Sequence, residues 1–211
     1  MTLRQRIEKN LLFLAVTGYY LAGYFWINEF TAGRGDLHSV ALPYEGQLPF
    51  VPYFIFAYLL VFAYVSAAYL AVDDLAFFKK VVQSFLVCVT FHFVVFLLFP
   101  VEYTLRPTLE YAASWINKVV VFYYWMDLPY NSFPSMHISN VFLVSFLLNR
   151  YRPGWGKVLM PVAILVSASV VLVKQHYIAD VVSGFFVGWG VFRLVFGPAQ
   201  TRVAPPLPTP R

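Results

Sequence analysis

Charge is what this sequence has least of. Only 12% of its 211 residues are Asp, Glu, Lys or Arg, about half the share of an ordinary soluble domain. So few charges cannot cover a water-facing surface, and a conventional soluble globular protein is excluded. Cysteine is nearly absent as well. Cys88 stands alone inside an apolar run, so no intrachain disulfide forms and the redox compartment stays open. There is no internal repeat. There is also no small-residue cleavage site after the first apolar run, which ends in Tyr24, Phe25, Trp26 and Asn28. That run therefore reads as a retained helix rather than a cleaved leader.

What the chain has in quantity is apolar surface. Hydrophobic residues make up 60% and aromatic residues 20%, and the mean hydropathy is +0.68. The expected fold class is all-α: a polytopic membrane protein, a six-transmembrane-helix bundle with an interfacial aromatic loop. The expected spans are about 7–27, 48–72, 80–99, 135–148, 157–173 and 177–196. Pro49 and Pro52 fall in the first turn of the second span, where proline is tolerated. Residues 100–132 form the longest connection, crowded with Tyr111, Trp115, Phe122, Tyr123, Tyr124 and Trp125. Such a stretch belongs in the headgroup region of a bilayer. One catalytic domain is expected over 1–196, followed by a disordered, Pro-rich tail over 197–211.

The net charge is +5. The basic residues flank apolar runs, so they speak to orientation and not to nucleic-acid binding. With six spans, Arg34, Arg106, Lys118 and Lys174 fall on one side and the remaining lysines and arginines on the other. The basic-rich side is cytoplasmic, which puts both termini there. The expected location is the plasma or an inner membrane, with the candidate site on the outer, periplasmic or lumenal face.

That site is read from two stretches at the mouths of apolar runs, where ionisable groups are costly and usually functional. In Lys174-Gln175-His176-Tyr177-Ile178-Ala179-Asp180, His176 and Asp180 are spaced i, i+4. On a helix this puts them on one face, one turn apart. The carboxylate can accept from one imidazole nitrogen and leave the other as an oriented lone pair. Such a nitrogen suits a nucleophile, a general base or a metal ligand. The bland alternative is an ion pair sealing a helix end. In Pro134-Ser135-Met136-His137, the proline and serine suit a helix start. The first-turn amides there point outward, as phosphate-binding amides do, and His137 projects from the same turn. Alone, this tetrapeptide is equally a cap beside an interfacial histidine. Arg106-Pro107 adds a guanidinium able to grip a phosphate through two parallel hydrogen bonds.

Arg-Pro, then Pro-Ser-x-His, then Ser-x6-His-x3-Asp is the order found here, and it resembles the type 2 phosphatidic acid phosphatase superfamily. That group includes lipid phosphate phosphatases, polyprenyl diphosphate phosphatases and sphingolipid or inositol-phosphate headgroup transferases. The resemblance spans about 99–184. It implies that His176 attacks phosphorus and carries a transient phosphohistidine, that Asp180 orients it, and that His137 protonates the leaving oxygen and later activates the acceptor. It implies phosphate contacts from Arg106, Ser135, the amides near Met136, and Ser169, with no metal and no cofactor. Three positions depart from the family pattern: Phe99 and Val170 replace a usual lysine and arginine, and Met136 a usual glycine. Lys174, two residues before His176, stands in for a missing cation in this reading. The run His176-Tyr177-Ile178-Ala179-Asp180 is similar to that of the transferase branches.

The expected activity is therefore a membrane lipid phosphatase acting on a lipid phosphate ester or diphosphate. The expected partners are that lipid phosphate or phospholipid and the bilayer. A headgroup phosphotransferase with the same residues stays open. So do a metal-dependent hydrolase using His137, His176 and Asp180 as ligands, and a transporter using them as a proton relay. His92 reads as a helix contact, His38 with Asp36 and Arg34 as a solvated loop, and Glu102 and Asp127 as residues flanking the site.

Overall fold

A computed structural model describes residues 1–110 and 113–197; Tyr111 and the Pro-rich segment beyond Gly197 lie outside the described residues. The described chain is helical, with no named strand and only two isolated bridges. The helices are α1 (Leu3–Ala32), α2 (Ile55–Tyr58), α3 (Leu60–Ala71), α4 (Leu75–Leu98), α5 (Trp115–Met126), α6 (Met136–Tyr151), α7 (Gly156–Leu172) and α8 (Ile178–Phe196). Their starts follow local chemistry. Thr2, Asp74, Ser114 and Ser135 each accept a hydrogen bond from a first-turn amide, a cap typically worth about 1 kcal/mol.

Four segments are long and apolar enough to cross a membrane: Leu3–Ala32, Pro52–Ala71, Leu75–Leu98 and Ile178–Phe196. The other two expected spans are shorter helices, α6 with 16 residues and α7 with 17, against the roughly 20 a bilayer core calls for. The second apolar segment is also not one straight helix. It opens with a 3-10 turn at Pro52–Phe54 and is interrupted at Leu59, whose carbonyl accepts from Phe62 three residues on. The aromatic connection differs from a loop as well. Ser114 starts α5 within it. Ile116, Val120 and Tyr123 face inward, while Trp115, Phe122 and Trp125 face out.

Apolar side chains also cover the outside of the bundle. Leu14 on α1, Leu70 on α3, Leu98 on α4, Ile164 on α7 and Leu194 on α8 are all more than 60% exposed. That is the surface of an integral membrane protein, where the solvent is hydrocarbon. Inside, α6 is the hub: eleven of its residues are buried, and it packs against α3, α4, α7 and α8. Its closest neighbour is α8, through Gly184 and Gly188. A Cβ at Gly184 would lie 2.6 Å from the Ser135 carbonyl oxygen, and one at Gly188 2.5 Å from that of Ser139. Glycines four apart let two membrane helices approach at backbone distance.

The two ends of the bundle are distinct. At one, the Lys9 ammonium donates to the Val72 carbonyl, Arg152 pairs with Asp73, and Lys79 with Glu8. At the other, Val101 bridges His38 and Asn131, Ser132 donates to the Val101 carbonyl, and the Val51 amide donates to Leu172. The starts of α6 and α8 both lie at this second end.

Candidate active site

The turn between α7 and α8 brings the second stretch into place. The amides of Gln175 and His176 both donate to the Val170 carbonyl, and Lys174 takes a left-handed conformation with φ 56°. For a residue with a side chain this conformation costs about 1 kcal/mol. It reverses the chain so that His176 precedes α8 directly. One turn into α8, Asp180 Oδ2 accepts from the Tyr177 amide at 2.9 Å and pairs with His176 Nδ1 at 3.2 Å. A carboxylate in a first helical turn also complements the helix dipole. Its other oxygen, Oδ1, is buried without a partner among the described residues.

The start of α6 is fastened to the same place. The Ser135 amide donates to the Asp180 carbonyl at 3.0 Å, and Ser135 Oγ caps α6 through the Ile138 amide at 3.3 Å. His137 then faces His176, with Nδ1 3.3 Å from His176 Nε2. The other His137 nitrogen, Nε2, is hydrogen-bonded to the Tyr58 hydroxyl at 3.3 Å, and that hydroxyl donates to Asp127 Oδ2 at 3.1 Å. Five side chains thus form one line: Asp127, Tyr58, His137, His176, Asp180. His176 directs one nitrogen to each neighbour, so its donors diverge instead of converging on a point as metal ligands do. Among the described residues, no three His, Cys, Asp or Glu side chains are grouped as a metal site would require.

Arg106 lies against both arms of this line. Its guanidinium donates to the carbonyls of Tyr124 and Asp127, at 3.2 and 2.7 Å, and to the Gln175 side chain, and it stacks on the Tyr124 ring. Arg106 Nε and Gln175 Nε2 are buried donors with no partner among the described residues. The amides of Met136 and His137 likewise have no acceptor among them. Unpaired donors on touching residues are what phosphate oxygens would satisfy. Gln175 was invisible to sequence reasoning, since an amide beside a histidine carries no signal.

Other expected contacts sit elsewhere. The Lys174 ammonium is committed to the Glu45 carbonyl, at 3.2 Å. Burial lowers its pKa against the opposing effect of the Glu45 carboxylate. Ser169 Oγ donates within α7 to the Val166 carbonyl. The Met136 side chain packs with Tyr24, Ile27, Val89, Phe93 and Phe96. Where the family pattern has its other cations, Phe99 stacks on His38 and meets Phe133, and Val170 is fully buried. The Tyr177 hydroxyl contacts Ser39, Thr104 and the Glu102 carbonyl, so it ties three connections together. His92 is a helix contact: its ring meets the Cys88 carbonyl and Ser139 Oγ.

A cavity of about 230 Å³ runs between α1, α3 and α4. Its walls are almost wholly apolar, including Phe13, Val16, Val61, Phe62 and Phe85, and His137 and Asn140 of α6 also line it.

Two histidines, two carboxylates and an arginine thus meet at a helix start in an all-helical membrane protein, an arrangement chemically suited to phosphate. The PAP2 superfamily model matches residues 104–203, and the chain is a member of the type 2 phosphatidic acid phosphatase superfamily. Comparison with curated proteins and with solved structures gives no match. Members of the superfamily are generally phosphatases, so the chain is an enzyme of the phosphatase or phosphotransferase type acting on phosphate esters.

Proposed function

We propose that the protein hydrolyses the phosphate ester or diphosphate of a membrane lipid through a phosphohistidine on His176. The observation that carries this reading is the line Asp180–His176–His137. With Asp180 accepting at Nδ1, the lone pair of His176 is at Nε2, which faces the second histidine. In the first half-reaction, Nε2 forms a bond to phosphorus as the P–O bond to the lipid breaks, and His137 gives its proton to the departing oxygen. In the second, His137 takes a proton from water as its oxygen attacks phosphorus and the P–N bond breaks. The phosphoryl group has to part the two rings to enter between them. Arg106, Gln175 and the amides of Met136 and His137 would hold the phosphoryl oxygens, where charge stabilisation is the main catalytic contribution.

The lipid part of the proposal rests on the apolar cavity among α1, α3 and α4, which His137 helps to line. A hydrocarbon chain there would leave its phosphate at the histidines. In this reading α6 and α7 also cross, giving six crossings. Both ends of the chain lie on the basic, cytoplasmic side, and the site lies on the opposite face. The transferase alternative differs only in the acceptor. It is favoured by the run His176-Tyr177-Ile178-Ala179-Asp180, although Tyr177 serves here as an anchor for connections.

The test is a panel of lipid phosphates and diphosphates, with and without alcohol acceptors such as inositol, in chelator and with vanadate. Hydrolysis predicts free phosphate, retained in chelator and inhibited by vanadate. A phosphorylated acceptor in place of free phosphate would replace hydrolase by transferase. Loss of activity in chelator would sink the metal-free reaction.

A further inference from the structure

We propose that Asp127, acting through the Tyr58 hydroxyl, is the positioning carboxylate of His137, the counterpart of what Asp180 is to His176. The inference rests on the hydrolase reading above, in which His137 is the acid and base.

Three observations carry it. Tyr58 is 1% exposed, and its ring is wedged edge-on against those of His137 and Tyr123, with centroids 5.3 and 5.0 Å apart. Its hydroxyl therefore has little freedom, and it is placed between His137 Nε2 and Asp127 Oδ2. Second, Asp127 is itself fixed. Its other oxygen accepts from the Tyr24 hydroxyl, its amide donates to Tyr123, and its carbonyl accepts from Arg106. Third, Arg106 takes that carbonyl and not the carboxylate, and among the described residues Asp127 is in no ion pair. The group able to become its cation is His137, one hydroxyl away.

The chemistry of a hydroxyl suits this place. A tyrosine both donates and accepts. When His137 carries protons on both nitrogens, Nε2–H donates to Tyr58, whose own proton goes to Asp127. When Nδ1 has given its proton to the leaving oxygen, the neutral ring keeps Nε2–H, which still donates to Tyr58, and the bare Nδ1 is ready to take a proton from water. One residue thus holds the ring through both halves of the cycle and keeps Nδ1 toward the reacting phosphorus.

The alternative is that Asp127 merely ties α1 and α2 to the end of α5. Tyr24→Phe and Tyr58→Phe each remove one hydrogen bond to Asp127, but only Tyr58 touches His137. The experiment uses the full chain in detergent with two probes: dodecyl phosphate, whose alkoxide leaving group needs a proton, and 4-nitrophenyl phosphate, whose leaving group needs little help. The measured quantity is kcat/KM, which reports expulsion of the leaving group, alongside Tm. Acid catalysis contributes 10² to 10⁴-fold, so Tyr58→Phe and Asp127→Asn should lower the dodecyl phosphate value roughly ten- to a hundredfold. The aryl phosphate should fall by no more than about threefold, because little of its barrier depends on the acid. Tyr24→Phe should leave the ratio of the two substrates at its wild-type value. Equal losses on both substrates, or a Tyr24→Phe ratio matching that of Tyr58→Phe, would overturn the proposal. Asp127→Asn gives the same reading should Tyr58→Phe not fold. Failure of the underlying reading looks different: His176→Ala would turn over either substrate at the wild-type rate.

Discussion

The two histidines lie 3.3 Å apart, nitrogen to nitrogen, yet the chain supports them in opposite ways. His176 and its carboxylate are neighbours in sequence, joined across one turn at the start of α8. His137 reaches a carboxylate only through Tyr58, which comes from another part of the chain. Local encoding holds the first pair together within one helical turn, which suits the nucleophile proposed for it. Assembly from distant segments makes the second depend on how α2, α5 and α6 pack. It also gives that histidine a partner able to follow both of its protonation states.

The sharpest way to break this comparison is to remove one histidine at a time. His176→Ala should lower turnover by about 10⁴-fold or more, as losing a nucleophile does. His137→Ala should cost roughly 10² to 10⁴-fold, the share of an acid–base catalyst, while still allowing slow phosphorylation of His176 by an aryl phosphate. Steady-state rates and phosphoenzyme trapping on both variants check this. If the two losses were equal on an aryl phosphate, the division of roles would not stand.

Asp180→Asn comes next. It removes the acceptor that fixes the His176 tautomer and should cost on the order of a hundredfold in kcat for both alkyl and aryl phosphates. That contrasts with the alkyl-selective loss expected for Tyr58→Phe, so paired measurements on the two variants separate nucleophile support from acid support. Gly184→Ala acts on the joint beneath both. Its methyl would meet the Ser135 carbonyl oxygen at 2.6 Å, pushing α6 from α8. Overpacking of this kind costs roughly 1–3 kcal/mol, read as a lowered Tm, and both substrates should lose activity together. The smallest effect belongs to Lys174→Met. Its ammonium is bound to Glu45, so KM for a phosphate substrate should change by less than about threefold, since a uniform binding contact would raise KM and none is made. A large rise in KM would return Lys174 to the phosphate site.

The same contrast explains what the sequence could tell. His176 with Asp180, and Ser135 with His137, announce themselves because helical periodicity and capping act over three or four residues. The gathering of charge was legible for the same reason: charged residues mark helix ends, and the structure gathers Lys9, Asp73, Lys79 and Arg152 at one end of the bundle. Tyr58 gave no sign, because a tyrosine within an apolar run is ordinary in a membrane helix. Asp127 was noticed only as a flanking acid, since its partners Tyr24 and Tyr58 lie in two other helices. The helix α5 hid in a run too short and too closely bounded by Lys118 and Asp127 to look like a span. Lys174 misled in the other direction. Its nearness to His176 in sequence suggested a phosphate cation, while the left-handed turn it occupies sends its side chain to Glu45.

The central claim is that His176 carries the phosphoryl group. Its most direct test is rapid quenching of the full-length protein during turnover of a ³²P-labelled lipid phosphate, followed by mapping of the labelled peptide. The account predicts an acid-labile, base-stable label on His176, formed and lost at rates compatible with turnover and absent in His176→Ala. A label on another residue, or full turnover by His176→Ala, would contradict it.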